Sequence, residues 1–319
     1  MRRADEAEIQ DCTGTERERE KTPQKPFCMG GKLTHTALRV KEEVDAGCTE
    51  IVLSPAAYHY LDGDSIKGVG QVLGSVKHPL KLLSFAYRNW DDESLFTVLA
   101  GVKAVDTLLL QGNILGKKTC AKLPKIKGLR HLNVERGCMK PEFFCQHISA
   151  CSSLESLHLK ESSLDVETLE AILSSLRLLR ELWLSDTVLS PGCGRIFALW
   201  GRDLTICAVA GCKLSCEDVQ ELLRGCPSLR GLFAADNSLT DAAMEGLGDS
   251  CPRLEELDLS CNKLTDTSAT EIAKLEQLRS LTLNGNPALS GTGLQPIVQQ
   301  CTRLTSFFVE SHLLSEACR

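Results

Sequence analysis

Aromatic residues are scarce. Three Trp, three Tyr and nine Phe amount to 5% of 319 residues, so the core must be mostly aliphatic. Long apolar runs are missing too. None approaches the roughly 18 residues that span a bilayer, so no membrane is expected as a partner. The charged N-terminus, MRRADEAEIQDCTGTERERE, lacks the apolar stretch of a secretory leader. Basic charge is in the minority: 36 Lys and Arg against 42 Asp and Glu leave a net charge of −6. That disfavours bulk nucleic-acid binding while leaving room for a local basic patch.

Motifs that carry chemistry are likewise absent. Gly30-Gly31-Lys32 lacks the preceding glycine of a phosphate-binding loop, and Leu33 stands where Ser or Thr is needed. Gly68-x-Gly70-x-x-x-Gly74 has the wrong spacing for a dinucleotide fingerprint. There is no G-x-S-x-G and no H-E-x-x-H, and the seven histidines are scattered singly. No catalytic residue is nominated, no cofactor or metal is expected, and the chain is read as non-enzymatic.

Cysteine, by contrast, is abundant. Sixteen thiols in such a chain point to a reducing compartment, cytoplasm or nucleus, rather than a disulfide framework. Cys151, Cys226, Cys251 and Cys301 each stand three residues before a repeat-opening leucine and read as small buried corner residues. Cys207, Cys212 and Cys216 are not spaced as a C-x-x-C pair and lack a fourth ligand, so buried thiols are favoured over zinc.

Periodicity decides the fold. From Val105 the chain follows L-x-x-L-x-L-x-x-[N/C/small], first as Val105-x-x-Leu108-x-Leu110-x-x-Asn113. Further copies open at Leu129, Leu154, Leu179, Leu204, Leu229, Leu254, Leu278 and Leu304, at intervals of 24 to 26 residues. One more starts at Leu80, and a degenerate one at Cys48 (Ile51, Leu53) precedes an insertion that includes Tyr58 to Gly63. Leu257 and Leu259 alternate with Glu256, Asp258 and Ser260, a period-2 strand with one buried face. Asn262 follows, where its amide can pair with open backbone groups; Asn113, Asn237 and Asn286 hold the same place and Cys212 substitutes for it. Gly137, Ser162, Thr187 and His312 depart from the pattern and predict looser turns. Leu164-Asp165, Leu189-Ser190, Leu214-Ser215, Leu239-Thr240, Leu264-Thr265 and Leu289-Ser290 then place N-cap residues, with Glu167, Asp218, Asp241 and Asp266 following in the first turn.

This pattern, carried best by CPRLEELDLSCNKLTDTSATEIAKL, resembles the leucine-rich repeat superfamily, within it the ribonuclease-inhibitor-like and cysteine-containing subtypes known from F-box substrate receptors. The resemblance covers about residues 80–319 well and 48–79 loosely. It implies an α/β solenoid, a horseshoe of 10–11 repeats of about 25 residues, with a parallel sheet on the concave face and helices on the convex face. Residues 1–26 are expected as a disordered charged tail, 27–47 as a capping helix region (Leu33, Ala37, Val40, Val44) and 48–319 as the repeat domain. The chain stops at Arg319, so the last unit is expected to have a strand without its helix, leaving an open end for self-association.

Three residues of each strand face the concave side. Their middle row reads Ser84, Leu109, Asn133, His158, Trp183, Ala208, Phe233, Asp258, Thr282 and Phe308. Trp183 and Phe233 flank Ala208 two strands apart, a separation of roughly 10 Å. Ile206, Ala210 and Ala235 extend the apolar patch; Glu181, Glu256 and Asp258 rim one side, His131, His158 and Lys160 the other. An apolar centre with a charged rim is the anatomy of a protein interface. A secondary basic patch, Lys117, Lys118, Lys122, Lys125 and Lys127, lacks interleaved aromatics and reads first as a solvated outer surface.

The function expected is a non-enzymatic adaptor that binds a protein partner on the concave face; the residues do not specify which protein. The resemblance also implies an alternative, the substrate-recognition component of an SCF-type ubiquitin ligase, although residues 1–47 show no F-box. A Ran-type GTPase activator is a weaker resemblance, because those repeats run longer. A ribonuclease inhibitor would favour a more acidic inner face than this one.

Overall fold

The repeat frame becomes a ladder of strands. The computed structural model describes residues 33–53, 55, 61–135, 141–159 and 163–317, which belong to one compact unit. The strands are β1 (Glu50–Val52), β2 (Leu80–Ser84), β3 (Val105–Leu109), β4 (His131–Asn133), β5 (Ser156–His158), β6 (Ser163–Leu164), β7 (Glu181–Trp183), β8 (Val188–Leu189), β9 (Ile206–Ala208), β10 (Gly231–Phe233), β11 (Glu256–Asp258), β12 (Ser280–Thr282) and β13 (Ser306–Phe308). Eleven of them form one parallel sheet in chain order, and β6 pairs with β8 separately. Parallel neighbours need a crossover between them, and a helix or a short 3₁₀ turn supplies it on the far side of the sheet. The resulting α/β horseshoe is the architecture expected.

The register is continuous. Leu132, Leu157, Leu182, Cys207, Leu232, Leu257 and Leu281 are successive partners, all between 0% and 2% exposed. Each leucine therefore packs on its equivalents in the adjacent strands, and the core is one aliphatic column along the solenoid. The helix His35–Asp45 closes the N-terminal end with Ala37 and Val40 buried and Leu33 and Val44 packed against the core. Gly68 and Gly70, from the sequence's glycine-rich run, lie in the helix Gly63–Ser75. A Cβ at Gly68 would come within 2.8 Å of Ala37 Cβ, and one at Gly70 within 2.6 Å of Thr97 O, so these glycines serve close helix packing.

After each strand the chain turns inward and exposes carbonyls that no strand can pair. A column of side chains fills them. Asn262 Nδ2 donates to Ala234 O (3.1 Å) and Leu259 O (3.0 Å), while its Oδ1 accepts from the amides of Asn237 (3.1 Å) and Leu239 (2.9 Å). Asn113, Asn237 and Asn286 repeat the arrangement. Cys212 Sγ donates to Leu184 O at 3.1 Å. The expected loose turn at Thr187 is not found: its buried Oγ1 donates to Leu159 O at 2.8 Å and does the work of the amide. Arg88 joins the column with Nε on Leu53 O at 2.7 Å. His312 is exposed on a terminal helix, and Gly137 and Ser162 lie outside the described residues.

Two further expectations need correction. Asp165, Ser215 and Thr265 cap helices with their side chains; Thr240 precedes the 3₁₀ turn Asp241–Met244 without a side-chain capping bond, Ser290 Oγ accepts from Gly293 N (3.0 Å) ahead of a helix that begins only at Gln295, and Ser190 does not cap the helix that begins at Gly194. Gly192 has φ +85°, so the chain coils through a turn after Pro191 before the helix can start. Acidic residues of adjacent units hold two of these turns, one from the following unit and one from the preceding unit. Asp218 Oδ1 accepts from the amides of Gly192 (3.1 Å) and Gly194 (3.0 Å), and Asp266 accepts from Ser290 N (2.8 Å) and Oγ (2.6 Å). The last unit also has a helix after all, Ser311–Ala317, because seven residues suffice to bury Leu313 and Ala317 against the core. The insertion around Tyr58 and the tail 1–26 fall outside the described residues, apart from the insertion's end at Leu61–Gly63.

Replacing Asn262 with Ala would orphan two carbonyls and two amides in a buried turn, a loss of about 2–4 kcal/mol. Asn262→Cys keeps a donor, as Cys212 does, and should lose about half as much. Urea unfolding midpoints check both; an Ala variant as stable as wild type would show that the column does not hold the turns.

Candidate functional site: the concave aromatic strip

The row read from the sequence exists residue for residue: Ser84, Leu109, Asn133, His158, Trp183, Ala208, Phe233, Asp258, Thr282 and Phe308 are consecutive register partners. The spacing of its rings differs from expectation. Trp183 and Phe233 are not about 10 Å apart; their centroids lie 5.5 Å apart with planes at 22°. Strand spacing fixes backbones, and Ala208 between them presents only a methyl, so the rings lean together over it and leave it 0% exposed. On the other side His158 stacks on Trp183 at 5.1 Å and 8°. The three rings form one contiguous stack, a favourable aromatic geometry. Trp183 and Phe233 are half-buried by one another, so the exposed apolar area is smaller than two isolated rings would offer.

Gly231 lets the Phe233 ring lie close over its own strand. A Cβ there would meet Phe233 Cε2 at 3.2 Å and Ile206 Cγ1 at 3.6 Å. Ile206, Ala210 and Ala235 are half-buried beside the rings, as expected of the patch. Trp183 Nε1 is shielded from water and has no hydrogen-bond partner among the described residues.

Carboxylates bracket the stack. Glu181 accepts from Ser156 Oγ at 2.9 Å. Glu256 is exposed, and Asp258 accepts from Ser260 N (2.9 Å) and Oγ (2.7 Å). Glu135, missed from the sequence, sits 3.3 Å from His158 Nδ1. Its signal was present: it follows Asn133 by two residues and so shares the inward parity. Burial pulls the His158 pKa below the ordinary histidine value, outweighing the hydrogen bond and charge of Glu135 and the charge of Glu181, which raise it; His131 adds to the lowering. The ring in the stack is therefore neutral at pH 7. Lys160 lies outside the described residues.

The lysine patch is elsewhere. Lys117, Lys118 and Lys122 lie on the helix Lys117–Lys122, Lys125 in the 3₁₀ turn Leu123–Lys125, and Lys127 just beyond. Lys118 pairs with Glu93, and Lys122 Nζ donates to Ala100 O at 3.1 Å. Two of the five lysines are thus engaged with the neighbouring unit, and none joins the aromatic strip.

The cysteines are packing elements. Burial pushes the thiols of Cys151, Cys212 and Cys251 up to about 12, and Cys207 is wholly buried and raised as well. Thiolates, the reactive form, are therefore suppressed. Among the described residues no three His, Cys, Asp or Glu side chains gather to hold a metal ion. No helix among them is long and apolar enough to cross a membrane.

The family model for the leucine-rich repeat matches residues 227–287, the stretch with the complete asparagine column. The match and the parallel ladder of repeating strands show the leucine-rich repeat fold. Among curated proteins it is similar to F-box protein FBX14 of Arabidopsis thaliana, 22% identical over 212 residues. That match takes in 63% of this chain and 30% of the relative, so the chain corresponds to less than a third of that protein. Among solved structures, an internalin (inlF) of Listeria monocytogenes aligns with TM-score 0.55 and 19% identity, covering 79% of this chain and 68% of the other. A structure of the yeast Rad7 and Elc1 complex aligns with TM-score 0.49 and 17% identity over 84% and 71% of the two chains. The internalin likeness shows the leucine-rich repeat fold alone.

Because folding lowers the His158 pKa, the folded state binds this proton less readily than the unfolded chain. The stability tied to His158 is full above the unfolded midpoint of about 6.5 and declines as pH falls from there toward the folded midpoint. NMR titration should place His158 below that value, and Glu135→Gln should lower it further by removing a carboxylate that raises it. A midpoint that rises in Glu135→Gln would contradict the assignment.

Proposed function

We propose that this leucine-rich repeat chain is a non-enzymatic adaptor that captures a protein partner on its concave face, centred on His158, Trp183 and Phe233. The observation that carries the reading is the three-ring stack, standing in register on a sheet face whose other middle-row positions are mostly small or polar. Aromatic anchors with charged neighbours are the residues in which interface energy concentrates. Glu181, Ile206, Glu256 and Asp258 form the surround. The lysine patch is a secondary route to a partner.

A second reading, the substrate-recognition part of an SCF-type ubiquitin ligase, is favoured by the similarity to an F-box protein. On that reading the concave face holds the substrate and a separate element makes the ligase link. No observation favours a Ran-type GTPase activator.

Affinity purification with mass spectrometry, comparing wild type with Trp183→Ala/Phe233→Ala, tests the adaptor. The rings touch each other and Ala208 rather than the leucine column, so the variant should keep its melting transition while its partner disappears. Cullin components among the lost or retained proteins would support the ligase reading. An identical set of partners for a folded variant would sink the concave-face proposal.

A further inference from the structure

We infer that the partner segment bound on the strip is basic, and that one of its lysine or arginine side chains seats between the free face of Phe233 and the carboxylates of Glu256 and Asp258. The inference rests on the concave-face reading above and adds the partner's chemistry.

Trp183 covers one face of Phe233. The opposite face is turned toward β11, where Asp258 is the register partner of Phe233 and Glu256 that of Gly231. Gly231, the register partner of Ile206 and of Glu256, is buried under the edge of the Phe233 ring and contributes no side chain, so Phe233 is the β10 side chain next to Glu256 and Asp258. An aromatic face attracts a cation through its quadrupole, and a planar guanidinium can both stack there and reach two carboxylates.

The charge pattern singles out this end of the strip. One residue before β11, Glu255 is neutralised by Arg230 (3.2 Å) and Arg279 (3.4 Å). Further along the same edge Arg130 pairs with Asp106, and Arg180 lies 3.3 Å from Asp203. Acids on that edge of the sheet thus find cations within the chain. On the concave face, the strand positions of β5, β7, β9, β10 and β11 contain no Lys or Arg at all. Glu256 is exposed without a cationic partner among the described residues, and Asp258 has only Ser260. Glu135 and Glu181 place two more carboxylates at the other end of the stack. An acidic peptide or a nucleic acid would meet repulsion there; a basic segment meets a face prepared for it.

The test uses the full chain and two labelled probes, an arginine-rich peptide and its glutamate counterpart of equal length, read by fluorescence anisotropy at low and high salt. The arginine probe should bind wild type, weaken as salt rises and weaken by about tenfold or more in Glu256→Gln/Asp258→Asn; the glutamate probe should not bind. Glu256→Gln alone, whose carboxylate has no hydrogen-bond or ion-pair partner among the described residues, should show part of the loss and guards against misfolding of the double variant. Equal binding of both probes, or arginine binding unchanged by either variant, would overturn the inference. The two levels separate by affinity capture. If Glu256→Gln/Asp258→Asn retains partners that Trp183→Ala/Phe233→Ala loses, the concave reading stands and the basic partner falls. If the ring variant itself retains them, the underlying reading falls.

Discussion

A turn that follows every strand leaves inward-facing carbonyls without a strand to pair with, and the solenoid depends on satisfying them. Asparagine does this most completely, because one amide donates to two carbonyls and accepts from the preceding unit's backbone; Asn262 makes both sets of bonds. Cys212 donates to Leu184 O and accepts from the Thr187 backbone, Thr187 donates to Leu159 O, and Arg88 donates to Leu53 O near the N-terminal end. Since each unit touches chiefly its neighbours, this ladder carries register from one strand to the next. That register lines His158, Trp183, Ala208 and Phe233 into one row, so the site follows from the turn chemistry.

Most of this was legible in spacing. Leucines at intervals of 24 to 26 residues identify the frame, and alternation within the frame identifies which side chains face the concave side. What escaped depended on contacts between units. The ring stack forms because side chains lean across Ala208, a freedom that strand spacing does not report. Asp218 and Asp266 look like ordinary first-turn acids, yet Asp218 holds the turn of the unit before it and Asp266 the turn of the unit after it, contacts that spacing alone does not report. Thr187 was read as a defect because consensus was weighed rather than donor capacity. Glu135 lies just past a strand end, outside the row on which attention fell.

The superfamily's fold is compatible with many functions, so the functional argument lives in the strip. Its chemistry is a neutral histidine, two larger rings and carboxylates at both ends, with Arg230 and Arg279 engaged by Glu255 at the sheet edge. The similarity to an F-box protein spans 30% of that protein, too little to carry its partners over. The strip asks instead for a protein segment able to engage aromatic and acidic groups together.

The most direct measurement is a ¹⁹F NMR titration of 5-fluorotryptophan-labelled protein with a captured partner. The chain's three tryptophans are separate reporters. Trp90 is 8% exposed, Trp183 stands in the concave stack, and Trp200 ends a convex helix under the Arg177 guanidinium. With the Trp183 resonance assigned by Trp183→Phe, the account predicts that it alone shifts on binding. A shift confined to Trp200, with Trp183 unmoved at saturation, would place the partner on the helical side and contradict the account.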